Sequence, residues 1–228
     1  MNEIGTLSEK SIHKYLKNIL EPDKQYHEVK VGQYIADIKH DNKIIEIQTQ
    51  NFKKLLPKLE YYIKSGYNTT VVYPIIHRKI INWIDPVSMS VVDIRKSSRI
   101  EVIQDSFKEL YWILQYIVNE EIELKIILIN ANEYKYLDGR GQSQKIKATK
   151  IDKLPTEIIN TVDIRNINDL RVFVPDTLDN NWTSKDYVKV TKCNKRGVSS
   201  GLKMLRENNI IEMINKQGNA IIYKTNKL

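Results

Sequence analysis

Asp37, Glu46 and Gln48 are the residues whose types and spacing could do chemistry. They lie in a stretch, Tyr34 to Gln48, that reads as two short strands. Ile35, Ile44, Ile45 and Ile47 are β-branched, and Asp41-Asn42 suits a tight turn. A two-residue loop there pairs His40 with Lys43, Lys39 with Ile44, Ile38 with Ile45, and Asp37 with Glu46. Two carboxylates then face each other, with Gln48 further along the same face. Like charges directly opposite destabilise a strand pair. The pattern therefore calls for something between them, and a divalent cation is the natural candidate for oxygen donors. The alternative is a solvated hairpin face on which both carboxylates meet water.

The elements that must position this hairpin follow from apolar spacing. A helix over 8–20, capped by Thr6 or Ser8, has the stripe Ile12, Tyr15, Leu16, Ile19 and Leu20, with Glu9 and His13 one turn apart beside it. The alternative for Glu9 and His13 is a solvent-facing pair. Residues 26–33 read as a strand. Asn51 caps a helix over 52–65 whose inner face is Phe52, Leu55, Leu56, Leu59, Tyr62 and Ile63. Pro57 is expected to kink it or open a second helix. Lys53, Lys54, Lys58 and Lys64 are expected towards the outside. A strand over 69–73 should end at Pro74, followed by a hairpin of 76–84 with 90–96 across Asp85-Pro86. A helix over 104–119 leads to 123–130, apolar enough for a central strand. The expected division is an α/β domain over 1–135, a loop-rich connector or small β excursion over 136–165, and a separate module over 166–228.

That last module concentrates the charge. The net charge is +8, and residues 183–228 hold eight lysines and two arginines against Asp186, Glu207 and Glu212, a net of +7. Thr183 caps a helix over 184–192, Asn194 to Gly197 turns, and a second helix follows over 197–208 with Val198, Leu202 and Leu205 inside. Strands at 210–214 and 220–223 close the unit. Helix, turn, helix, hairpin is the winged-helix order. Lys195, Arg196, Ser199, Ser200, Lys203 and Arg206 are expected on the outer face of the second helix, with Lys216 and Asn219 on the wing. Such groups reach phosphates and base edges, which makes DNA the expected partner. A winged helix used for protein contacts is the alternative.

Composition excludes several classes. Of 228 residues 41% are hydrophobic, enough for a core, and the single Cys193 rules out an internal disulfide framework and fits a reducing cytosol. There is no Cys/His cluster for structural zinc. Neither a signal peptide nor an apolar run of ~20 residues is present, so a cytoplasmic protein away from membranes is expected.

Asp37-x8-Glu46-x-Gln48 resembles the core of the PD-(D/E)xK, or restriction-endonuclease-like, nucleases. Ser11-Ile12-His13 with Leu16-Lys17, then Ile45 to Thr49, then Val72-Tyr73-Pro74, resemble an uncharacterised bacterial family with a nuclease-like N-terminal part and a C-terminal winged helix. The resemblance implies a mixed-sheet α/β core in which Asp37 and Glu46 bind the metal and the Ile47 carbonyl is a further ligand. Glu9 would bind a second metal or position it through water. Gln48 would orient the attacking water, and a second copy of the chain is a partner to expect. Gln48 departs from the motif, whose lysine supplies a positive charge that an amide cannot. Lys39, Lys43 and Lys54 are the nearby candidates to replace it. The expected activity is Mg²⁺-dependent hydrolysis of DNA. Two alternatives are a nuclease fold kept only for DNA binding or regulation, and a protein-interaction module.

Overall fold

The computed structural model describes residues 4–140 and 148–226, with side chains from residue 11 onward. Helix α1 (Ile4–Leu20) precedes strands β1 (His27–Val31), β2 (Tyr34–His40) and β3 (Lys43–Ile47). Helix α2 (Phe52–Lys64) carries the chain to β4 (Asn68–Ile84) and β5 (Val91–Lys96). Helix α3 (Phe107–Val118) leads to β6 (Ile122–Tyr136) and β7 (Thr149–Ile164). The seven strands form one mixed sheet in the order β1-β2-β3-β4-β6-β7, with β5 also on β4. β4 runs parallel to β3 and β6, and the remaining pairs are antiparallel.

Strand alternation divides the core into two layers. Val71, Ile126 and Leu128 pack with Phe52, Leu55 and Leu59 of α2 and Leu110 and Ile113 of α3. Their neighbours Val72, Ile127 and Ile129 pack with Ile12 and Leu16 of α1. Each fully buried aliphatic side chain contributes about 1.5–3 kcal/mol, so both helical layers are firmly held to the sheet. The result is a mixed α/β protein.

Three expectations change. Pro74 does not end its strand: β4 continues to Ile84. Proline lacks an N–H, but at Pro74 one edge of β4 lies between partners, since β3 pairs with 68–72 and β5 with 80–84. Pro57 sits within a single helix, where Lys53, whose carbonyl loses its usual donor, is solvent-exposed. The connector expected over 136–165 is largely β7, a long antiparallel partner of β6, so it belongs to the main sheet.

The C-terminal unit comprises β8 (Trp182–Thr183), α4 (Ser184–Thr191), α5 (Val198–Glu207), β9 (Ile211–Gln217) and β10 (Ala220–Thr225). Its strands form a separate sheet in the order β8-β10-β9. The expected cap is present: Thr183 accepts the Asp186 N–H, and Asp186 accepts the Thr183 N–H at 2.9 Å. This unit shares its core with α3. A Cβ on Gly201 would lie 2.1 Å from the Phe107 ring, so only glycine allows α5 this close to α3. Tyr187 donates to the Phe173 carbonyl (2.7 Å), and Gln104 donates to the same oxygen (3.2 Å). Among the described residues no helix is long and apolar enough to cross a membrane.

Candidate active site and basic face

The β2–β3 register is the expected one, with Ile38 opposite Ile45, Lys39 opposite Ile44 and His40 opposite Lys43. Beyond Ile38 the pairing gives way to a side chain: Asp37 Oδ2 accepts the Ile47 N–H at 2.8 Å. Asp37 thus takes up a backbone donor where the two strands part. His13 of α1 approaches its other oxygen, Nδ1 to Oδ1 at 3.8 Å.

Glu46 is only 2% exposed. Ile45 and Ile47 pack towards α1, so Glu46 between them points towards α2. There Lys58 Nζ donates to Oε2 at 2.6 Å and the Tyr62 hydroxyl donates to Oε1 at 3.1 Å. Burial pushes the Glu46 carboxyl up to about 7, and the Asp37 charge adds to this against the opposing effect of Lys58. For Asp37 burial also acts upward, but the His13 and Ile47 hydrogen bonds outweigh it and hold the group below its ordinary value. The Tyr62 hydroxyl is held neutral by burial and by the neighbouring Glu46 charge.

The structure therefore unites Asp37 and Glu46 and adds His13, Lys58 and Tyr62. Gln48 is half-buried, and its amide donates to the Gln50 carbonyl. Its backbone N–H donates to Val72 O at 2.9 Å. The Glu9 side chain lies outside the described residues. None of the expected substitute lysines supplies the positive charge. Lys39 donates to the Asp41 carbonyl at 3.0 Å, while Lys43 and Lys54 are exposed. Lys58, expected to face outward, is the lysine at Glu46. The signal was in the spacing: Lys58 stands one turn before the inward Tyr62, and residues at i and i+4 share a helix face.

Among the described residues no three His, Cys, Asp or Glu side chains are grouped to hold a metal. The donor set at hand is two carboxylates, suited to a hard cation completed by backbone oxygen or water. Beside the main effect of burial, the Asp37 charge raises the Glu46 pKa, and a cation shared by the two carboxylates would relieve that repulsion, so the residues present fit such an ion.

In the C-terminal unit Lys195, Arg196, Ser199, Ser200, Lys203, Lys216 and Asn219 are exposed and Arg206 is half-buried. Lys195 and Arg196 lie in the turn before α5, not on it. Lys203 pairs with Glu207 at 3.6 Å. A cleft of about 350 Å³ connects this turn to the end of β3, lined by Thr49, Arg99, Lys108, Lys153, Asn194 and Arg196 among others.

The chain matches a family described as a domain of unknown function, DUF8091, over residues 10–165. That span ends one residue beyond β7. An uncharacterized protein of Treponema pallidum (strain Nichols) is 25% identical over 224 residues, covering 97% of this chain and 87% of the relative. The likeness thus extends through the C-terminal unit. No solved structure matches the chain.

Proposed function

This chain belongs to the DUF8091 family, and we propose that it is a DNA-binding, divalent-metal-dependent nuclease with a restriction-endonuclease-like core and a C-terminal winged helix. The carrying observation is the Lys58 ammonium 2.6 Å from Glu46. It supplies, from α2, the positive charge that Gln48 lacks. The strand order β8-β10-β9 around α4 and α5 supports the winged-helix reading.

Asp37 and Glu46 would hold the ion, with the Ile47 carbonyl alongside by resemblance. When bound, Mg²⁺ or Mn²⁺ lowers the pKa of a water and offsets charge developing on the phosphate. His13 and the Ile47 N–H fix the Asp37 carboxylate. Tyr62 orients Glu46 from the opposite side. Lys58 can exchange its carboxylate partner for a phosphate oxygen, placing a cation next to the scissile group. The exposed cations of the C-terminal unit would supply sequence-independent affinity, which weakens steeply with salt.

The test is cleavage of plasmid and branched DNA with Mg²⁺ or Mn²⁺. Asp37→Asn, Glu46→Gln and Lys58→Met should each lower the rate by about 10²–10³-fold while DNA binding persists. A specific observation favours a second reading: Lys58 and Tyr62 together occupy both Glu46 oxygens. This is the arrangement of a closed ion pair in a nuclease fold kept for binding. Wild-type protein that binds DNA yet cleaves no substrate with either ion would establish that reading instead.

A further inference from the structure

Away from the carboxylate site, three neighbouring strands bring four lysines around one acid. Glu133 on β6 is 3% exposed. Lys79 Nζ from β4 lies 3.1 Å from it, Lys135 Nζ of β6 3.4 Å, and Lys150 Nζ of β7 4.0 Å. Lys153 stands directly across the β6–β7 ladder from Glu133. Among the described residues, four ammonium groups share this one carboxylate, an excess of positive charge. Lys79 and Lys135 are about three-quarters covered, so this charge is poorly screened by water. One glutamate satisfies one or two lysines; gathering four carries a repulsive cost unless an anion shares the site. Burial and the charges of Lys150 and Lys79 pull the Lys153 ammonium down to about 8, against the opposing effect of Glu133. Lys153 also lines the cleft that continues to Arg196 and to Thr49, so the cluster reaches that groove through this one lysine.

We propose that Lys79, Lys135, Lys150 and Lys153 form a phosphate site that holds the backbone of a nucleic-acid strand where it leaves this cleft past Lys153. The inference rests on the DNA-binding half of the reading above and is independent of cleavage. Contacts of this kind are to phosphate only, so they position the strand and carry no sequence information. Arg99 in the same cleft is paired with Glu101 (3.2 Å), and Asp105 accepts the Asn194 N–H (2.8 Å). Among the described residues Asp105 is thus held by hydrogen bonds without an ion pair, and Lys153, Lys108 and Arg196 outnumber it in the cleft lining.

The experiment measures binding of labelled duplex and single-stranded oligonucleotides to the full chain across a salt series, with pyrophosphate as competitor. Lys150→Gln/Lys153→Gln should weaken binding about tenfold at low salt, uniformly across sequences, and flatten the log–log salt slope by about two. Lys150→Arg/Lys153→Arg should retain both affinity and slope, which separates charge from packing. Lys150→Gln alone, at the more exposed position, should lose about one unit of slope. Unchanged affinity and slope in the double glutamine variant would overturn the proposal. So would wild-type protein that binds neither oligonucleotide, or pyrophosphate binding that is lost in the variant while oligonucleotide binding is not. Binding that depends on this cluster in a protein that cleaves nothing would sustain the site and sink only the nuclease reading.

Discussion

At the scale of single residues, a buried carboxylate and a half-buried ammonium differ in how well each is compensated. Glu46 has Lys58 and Tyr62; Lys153 has one shared glutamate among four lysines. Lys153 therefore makes a testable contribution to stability. Its folded-state pKa is about 8 against 10.5 when free. Below about 8 both states carry the proton, and the fold bears the full cost of a buried charge. Between these values the unfolded chain binds more protons, so stability rises with pH. Lys153→Met should thus be more stable than wild type at neutral pH, by about 2 kcal/mol. The advantage should vanish as pH climbs from 8 past 10.5. Denaturant melts across that range would show it, and a pH-independent difference would mean packing, not charge. At the other site, Tyr62→Phe leaves the Glu46–Lys58 pair intact but removes one donor from a buried carboxylate. A loss of about 1–2 kcal/mol in urea unfolding is expected.

Secondary-structure elements show which local signals survive packing. The β2–β3 register was legible because a two-residue turn at Asp41-Asn42 fixes it locally. The Thr183 cap was legible for the same reason. What escaped depended on distant partners. Pro74 reads as a terminator unless one knows that β3 stops before it and β5 starts after it. β7 has only Ile164 fully buried, with Ile158 and Val162 partly buried against the cores, so its membership of the sheet comes largely from hydrogen bonding to β6, which leaves little apolar pattern. Lysine usually faces outward, so only the register of Lys58 with Tyr62 points it inward. Gly201 belongs to the same group: nothing in the α5 sequence announces that Phe107 lies against it. Gly201→Ala would ordinarily favour a helix by up to about 1 kcal/mol. Here the added methyl must displace a buried ring, and a net loss of about 1–3 kcal/mol is expected. A thermal melt above that of wild type would show that α5 can move off α3 without cost.

Across the whole molecule, the boundary of sequence likeness and the boundary of packing do not coincide. The family match stops at residue 165, at the end of the sheet. The core does not: Phe107, Leu110 and Ile113 belong to one buried cluster with Leu170, Phe173, Tyr187, Leu202 and Leu205. Asn194 is tied back to Asp105, and Tyr187 and Gln104 meet at the Phe173 carbonyl. A jointed two-domain protein would have a polar interface here, and its binding unit would move freely relative to the sheet. A shared apolar core instead fixes the α4–α5 turn over the cleft that leads to Thr49 and Lys153. Any strand gripped by Arg196 would then be presented at a set distance from Asp37 and Glu46. The consequence can be tested by truncation after residue 165. Removing 166–228 exposes the Phe107 face of α3, so the remaining sheet body should associate or lose its cooperative melt. A monomeric truncated protein with a sharp native-like transition, by size exclusion and circular dichroism, would show that the two parts are separable. Fixed presentation of the strand by a single core would then have no basis.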